Sequence, residues 1–346
     1  MNAIEPFAAL VVRPEWARRL VTGLAELPED TGTLPPVAPP DPAAYALLGP
    51  ALFVYRQDDH VGIVCEVAVR SFINGQVRGH EAVQKQRVES LVRHVETTDA
   101  PPALVALLHH AGPVYARVVN EVQAGPPLLD FDGPGRRRQS VWQVPDGAAR
   151  DALVAELSSA EHYVADGHHR VAAALESWRG SGEPEGSGVL CVLHPMDGLR
   201  LSAFHRRVTG PVDVASLLDL LRSEFDVAQA EAHTPTAGAF GVYAAGCWHD
   251  VVIRDPGRSI DLEVLQSQVL DRLAQRVEIA PAKTEVDELR RRCDMDGGVL
   301  FTLAPPPLSA LTVLADSGGV VPPKTTYFEP KPCAGIFRRP DPRSSA

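Results

Sequence analysis

Tyr163-Val164-Ala165-Asp166-Gly167-His168-His169-Arg170 is the stretch on which the reading of this chain turns. The apolar run from His162 to Ala165 has the length and composition of a buried strand. Gly167 breaks it, and the pattern from Arg170 to Trp178 is that of a helix. A strand passing through a glycine into a helix gathers backbone N–H groups and a helix N-terminus at one point, a natural seat for phosphate. Gly167 lets a ligand approach the backbone closely. Arg170 offers a fork of donors to phosphate oxygens. Asp166, at the strand end, suits a magnesium ion or the orientation of an attacking group. The same residues also read as a polar turn or an N-cap cluster with a structural role only. His168, His169 and Asp166 are zinc-ligand types as well, but adjacent histidines do not share a helix face, and no second His cluster has ligand spacing.

Outward from this turn, Leu52 to Tyr55 and Gly62 to Val69 read as strands, and Asn74-Gly75 as a hairpin turn. A helix is expected from about Glu81 to His94, with Val88, Leu91, Val92 and Val95 on one face. Ala103 to Leu108 fits a short strand or helix, Val141 to Val144 a strand, and Ala148 to Leu157 a helix. Beyond the turn come a loop from Gly180 to Gly188 and a strand from Val189 to Leu193. A helix near Val214 to Glu224, strands near Phe240 to Tyr243 and Val251 to Arg254, and a helix near Leu262 to Arg276 follow. Helix Val286 to Cys293 and strand Val299 to Leu303 complete the pattern. Strands and helices do not alternate as in a barrel or a dinucleotide-binding sheet, so the class is α+β with mixed sheets. The expected divisions are a Pro-rich N-terminal segment packing on the core (1–50), a core (51–210), a C-terminal α/β lobe (211–337) and a disordered polar tail (338–346).

Three further clusters carry polar chemistry. In Arg78-Gly79-His80-Glu81, Glu81 reads either as an acidic residue opening a helix or as a general base for a hydroxyl steadied by His80. His205-Arg206-Arg207-Val208 ends an apolar strand and is either a surface turn or a phosphate or carboxylate contact. The third is Pro322-Pro323-Lys324-Thr325-Thr326-Tyr327-Phe328-Glu329-Pro330-Lys331, a strap over the core or a segment beside a site. The chain has only the lysines Lys85, Lys283, Lys324 and Lys331, and two of them fall here. A compact ammonium is not interchangeable with a guanidinium, so either Lys324 is kept here beside a site as a substrate contact or the pairing is chance in so small a count.

Composition narrows the partners. A net charge of -11 disfavours nucleic acid, whose binding rests on phosphate neutralisation. The one dense basic run, Arg136-Arg137-Arg138, reads as a solvated loop. The 5 cysteines are scattered without a Cys-x-x-Cys pair, as expected of reduced thiols in the cytoplasm. No signal peptide is visible, and the longest apolar candidate, Val299 to Leu314, is broken by Pro305-Pro306-Pro307, so no membrane span is expected.

In their order, these segments resemble domain-of-unknown-function family 1015. The resemblance rests on Pro6-Phe7, Val37 to Pro40, Tyr55-Arg56-Gln57, His80-Glu81, Trp142, Ala165 to Arg170, His205 to Val208 and Pro323 to Lys331. Asp41-Pro42, Val83, Val171 and Thr325 depart from the family pattern. A more distant resemblance is to free serine kinases of the ParB/sulfiredoxin-like group, which also pair a His-Glu segment with an Asp-Gly-His-His-Arg turn. It implies a ParB/sulfiredoxin-like nucleotide-binding core and a small-molecule kinase that moves phosphate from ATP or ADP to free serine or a related amino or hydroxy acid. Gly167, His168, His169 and Arg170 would bind phosphates. Glu81 and Asp166 would serve catalysis, with Asp166 holding Mg2+; from their own clusters, His168 is a further catalytic candidate and His80, Arg206 and Lys324 are candidate substrate contacts. The alternatives are a nucleotide-binding regulatory module of ParB-like type and a metal-dependent hydrolase built on Asp166, His168 and His169. Oligomeric state is not readable.

Overall fold

The computed structural model describes residues 2–23, 41–97, 104–232, 235–255, 257 and 260–340; the Pro-rich stretch 34–40 and the tail beyond 340 lie outside them. The chain divides into two units, Met1–Arg200 with Pro330–Ala346, and Leu201–Glu329. This division differs from the expected one at 50, 210 and 337: the first unit takes in both ends of the chain.

The first unit contains strands β1 (Ile4–Glu5), β2 (Phe7–Val12), β3 (Tyr45–Ala51), β4 (Phe53–Gln57), β5 (His60–Ala68), β6 (Val77–Arg78), β7 (Val105–His109), β8 (Leu129–Asp132), β9 (Arg138–Gln143), β10 (His162–Asp166) and β11 (Gly188–Pro195). Its helices are α1 (Pro14–Leu20), α2 (Val69–Ile73), α3 (Lys85–Thr97), α4 (Pro113–Gln123), α5 (Ala148–Ser159) and α6 (His168–Gly180). One sheet runs in the order β6-β10-β7-β11-β5-β4-β9-β8, with β1 also paired to β5. The β6–β10 and β7–β11 pairs are parallel and the others antiparallel, so the sheet is mixed as expected. Leu52, Ile63, Cys65, Leu107, Leu153, Leu157, Cys191 and Leu193 are wholly buried in its core. Helix α4 presents Tyr115, Val118 and Val119 to that core. Its otherwise uncapped N-terminus is closed from α5, where the Glu156 carboxylate accepts the N–H groups of Val114 and Tyr115 at 2.9 and 2.8 Å.

Some local expectations fail for identifiable reasons. Asn74 is not in a hairpin turn: at φ -82° it caps α2, and Gly75 at φ +83° turns the chain toward β6. A two-residue hairpin of that type needs positive φ at both positions. Glu81 does not open a helix, because α3 starts at Lys85, with the Gln84 carbonyl accepting the first helical bonds from Arg87 and Val88. Arg138 is the first residue of β9, paired with Asp130 and Asp132. Arg338, assigned to a tail, belongs to the short strand Phe337–Arg338, which pairs with β2.

The second unit has strands β12 (Arg200–Ala203), β13 (Arg206–Val208), β14 (Asp226–Ala230), β15 (Ala239–Ala244), β16 (Cys247–Val252), β17 (Val277–Ile279), β18 (Val299–Leu303) and β19 (Thr326–Glu329). With them come helices α7 (Val214–Glu224), α8 (Asp261–Gln268), α9 (Val286–Asp296) and α10 (Leu308–Asp316). Its main sheet, β14-β16-β15-β18-β13-β17, is antiparallel. The helix expected to reach Arg276 stops at Gln268, followed by a 3-10 turn at Leu270–Arg272. The class is therefore α+β with mixed sheets. No helix among the described residues is long and apolar enough to cross a membrane, and all five cysteines are free.

Candidate active site

Strand β10 leaves the sheet at Asp166, and α6 begins two residues later. Gly167 makes the turn at φ +113°, a region that side chains disfavour. A Cβ there would also stand 3.1 Å from the Arg170 guanidinium. No side chain caps the start of α6. Its first-turn N–H groups therefore give this point a positive partial charge.

Three charged side chains surround the turn. Arg170 ion-pairs with Oδ2 of Asp166 and also donates to the Leu104 carbonyl. The Lys331 ammonium lies 3.2 Å from Oδ1 of the same carboxylate. Burial works against ionisation of Asp166, but Arg170 and Lys331 outweigh it, and the carboxyl is held below its usual range. Two cations at a helix N-terminus, on either side of Asp166, are placed to meet an anionic ligand. Since each Asp166 oxygen already faces a cation, a resident magnesium does not fit at Asp166 in this arrangement. No group of three or more His, Cys, Asp or Glu among the described residues could hold a metal ion, which also leaves Asp166, His168 and His169 without convergence as a hydrolase centre.

The two histidines of the turn face the segment before α3. Nε2 of His168 accepts the His80 N–H at 3.3 Å, and Nε2 of His169 accepts the Gln84 N–H at 3.0 Å. Together they clamp the ends of the stretch that carries Glu81. Gly79 permits the approach, since a Cβ there would meet the His168 ring at 3.1 Å. Burial, reinforced by His80, pushes the His168 pKa well below its ordinary value, so the ring is neutral. With Nε2 accepting, its proton belongs on Nδ1, which lies 3.7 Å from Oε2 of Glu81. Burial likewise lowers the His80 pKa to about 4, and its ring stands edge-on to His168 with centroids 4.7 Å apart. The Glu81 side chain keeps 18% exposure, enough to meet a ligand.

The turn thus gathers Glu81, His80, Asp166, Gly167, His168, His169 and Arg170 into one place. Arg206 and Lys324 belong to the second unit. Arg206 is 3% exposed and donates to the carbonyls of Phe204 at 3.1 Å and Lys324 at 3.0 Å. Burial lowers its pKa to about 10. The Lys324 ammonium sits 5.4 Å over the Phe204 ring.

Lys331 was not among the expected site residues, although lysine scarcity pointed to its segment. Its position follows from strand β4. Gln57 Nε2 donates to the Lys331 carbonyl at 3.1 Å, and the Tyr55 hydroxyl accepts the Cys333 N–H at 3.3 Å while donating to Gln139 at 2.6 Å. Tyr55 and Gln57 therefore seat the strap that carries Lys331 to Asp166.

No curated protein matches the chain. Among solved structures it is similar to SbnI with C-terminal truncation from Staphylococcus aureus, at 14% identity and a TM-score of 0.44 over 79% of this chain and 85% of that one. It is also similar to a free serine kinase in complex with AMP, at 12% identity and a TM-score of 0.41 over 81% and 92%. A conserved hypothetical protein from Pyrococcus furiosus is similar at 15% identity and a TM-score of 0.36 over 77% and 90%. The family model described as "Protein of unknown function (DUF1015)" matches residues 48–278, most of the chain, and the chain belongs to that family.

Proposed function

We propose that this protein is a small-molecule phosphotransferase that moves a phosphoryl group from ATP or ADP to a hydroxyl of a small amino or hydroxy acid, with free serine the leading acceptor. The observation that carries the reading is the clamping of Glu81 against the start of α6, where Arg170 and Lys331 flank Asp166. Donor phosphates take the helix N-terminus, with Gly167 allowing close approach and Arg170 and Lys331 countering their charge. The acceptor hydroxyl meets Glu81, which takes its proton as the oxygen attacks the terminal phosphorus. One P–O bond forms, the bond to the nucleotide breaks, and the shortened nucleotide leaves with the electron pair. Neutral His168 stands beside Glu81, its Nδ1 3.7 Å from the carboxylate, and positions it. His80, whose ring packs edge-on against His168, contacts the substrate within the first unit. Magnesium would enter as the companion of the nucleotide phosphates rather than as a resident of Asp166.

The test is incubation of the protein with ATP or ADP, magnesium and a panel of amino and hydroxy acids, with mass spectrometry of the products. A phosphorylated acceptor supports the proposal. Calorimetric nucleotide binding with no phosphorylated product from any member would favour a nucleotide-binding regulatory module.

A further inference from the structure

Behind the N-terminus of α6 lies a cavity of about 270 Å³, walled by Leu91 of α3, Val189 of β11, and Arg170, Ala174, Ser177 and Trp178 of α6. Ala174, Ser177 and Trp178 follow Arg170 by 4, 7 and 8 positions, the spacing of one helix face. Arg170 is common to the cavity and to the charged cluster at the turn. From Arg170 to Trp178 the lane runs about 12 Å along the helix at 1.5 Å per residue. The walls are mainly apolar, interrupted by serine hydroxyls and the arginines Arg170 and Arg339. Trp178 is held in place by its indole N–H, which donates to the Pro184 carbonyl at 3.0 Å.

We infer that this cavity seats the nucleoside of the phosphate donor, its base lying along α6 near Trp178 and its phosphates leading past Arg170 onto the helix N-terminus. The inference rests on the phosphate seat proposed above. Small-molecule pockets usually measure about 300–1,000 Å³, so this volume suits a flat base better than a peptide or an acyl chain. An aromatic wall is favourable to any base, because every base has a π-face. Ala174 and Ser177 leave the lane open where larger side chains would close it. The continuity of the lane with Arg170 is what ties this cavity to a nucleotide rather than to an unrelated apolar ligand.

The experiment is calorimetry of ATP and of inorganic tripolyphosphate with the parent protein, Ala174→Leu and Ser177→Leu. Circular dichroism checks that each variant is folded. The two substitutions fill the lane from different turns, so either folded variant suffices. The expected result is at least a tenfold loss of ATP affinity with tripolyphosphate affinity unchanged. Loss of both ligands alike, or of neither, would overturn the nucleoside pocket and leave the phosphate seat standing. Failure of the parent protein to bind either ligand would overturn the phosphate seat and this inference with it.

Discussion

Acidification from pH 7.5 to pH 5 should remove a large part of the stability of the first unit. His80, His109 and His194 are buried in it, and burial lowers their pKa values to about 4, 3 and 4. Nε2 of His109 and Nε2 of His194 have no hydrogen-bond partner among the described residues, nor has Nδ1 of buried His162. A proton on any of them would place an N–H in a site with nothing to receive it. In the unfolded chain each imidazole titrates near its ordinary value, so the unfolded state gains protons that the folded state refuses. The contribution is fully present above about pH 6.5 and is lost progressively as pH falls toward the folded values. At pH 5 the gap between about 6.5 and 5 costs about 2 kcal/mol per histidine, about 6 kcal/mol for the three. Near pH 5.5 the slope should be about 3.5 kcal/mol per pH unit. His162 and His168, lowered for the same reason, add to the loss. Glu66, whose pKa burial raises, opposes it. Against a typical total of about 5–15 kcal/mol this is large. Urea titrations at several pH values, followed by tryptophan fluorescence, measure it directly. His194→Gln should reduce the slope by roughly one proton, about 1.4 kcal/mol per pH unit. Stability that stays flat between pH 7.5 and 5 would refute the reasoning.

Glu81→Gln should keep nucleotide affinity while phosphoryl transfer falls by about 10²–10⁴-fold, the usual contribution of a general base; equal activity of the two proteins in a single-turnover assay rejects the role. Lys331→Met should weaken calorimetric nucleotide binding by about 1.5–3 kcal/mol, the scale of a charged hydrogen bond. Its melting temperature should change little, because Arg170 still pairs with Asp166. Gly167→Ala should lower stability by about 1–2 kcal/mol through the left-handed backbone alone, a loss visible in thermal melts without any ligand.

What the sequence disclosed, it disclosed where the governing forces are local. Helix α7 and strand β18 have the bounds read from periodicity and apolar runs. The strand-glycine-helix turn at Asp166 was likewise written in neighbouring residues. Glu81 was misplaced onto a helix because the groups that hold its segment extended, His168 and His169, lie more than eighty positions away. Periodicity carries no trace of such a clamp. Lys331 as the Asp166 partner was not legible for a similar reason. Which lysine reaches the carboxylate is set by Tyr55 and Gln57 on a strand at the other end of the chain.

The return of the strap to the first unit has a consequence for biosynthesis. Asp166, Gly167 and Arg170 leave the ribosome before the whole of Leu201–Glu329, whereas Lys331 follows it. At about 5–20 residues per second, the 161 residues from Arg170 to Lys331 delay the lysine by about 8–32 s. A nascent chain can form the turn during that interval, but Asp166 then has Arg170 alone as its cation. A product terminated anywhere before Pro330 stays in that state permanently. The last strap residues thus act as a completion mark: the full charge pattern around Asp166 exists only in chains translated through both units.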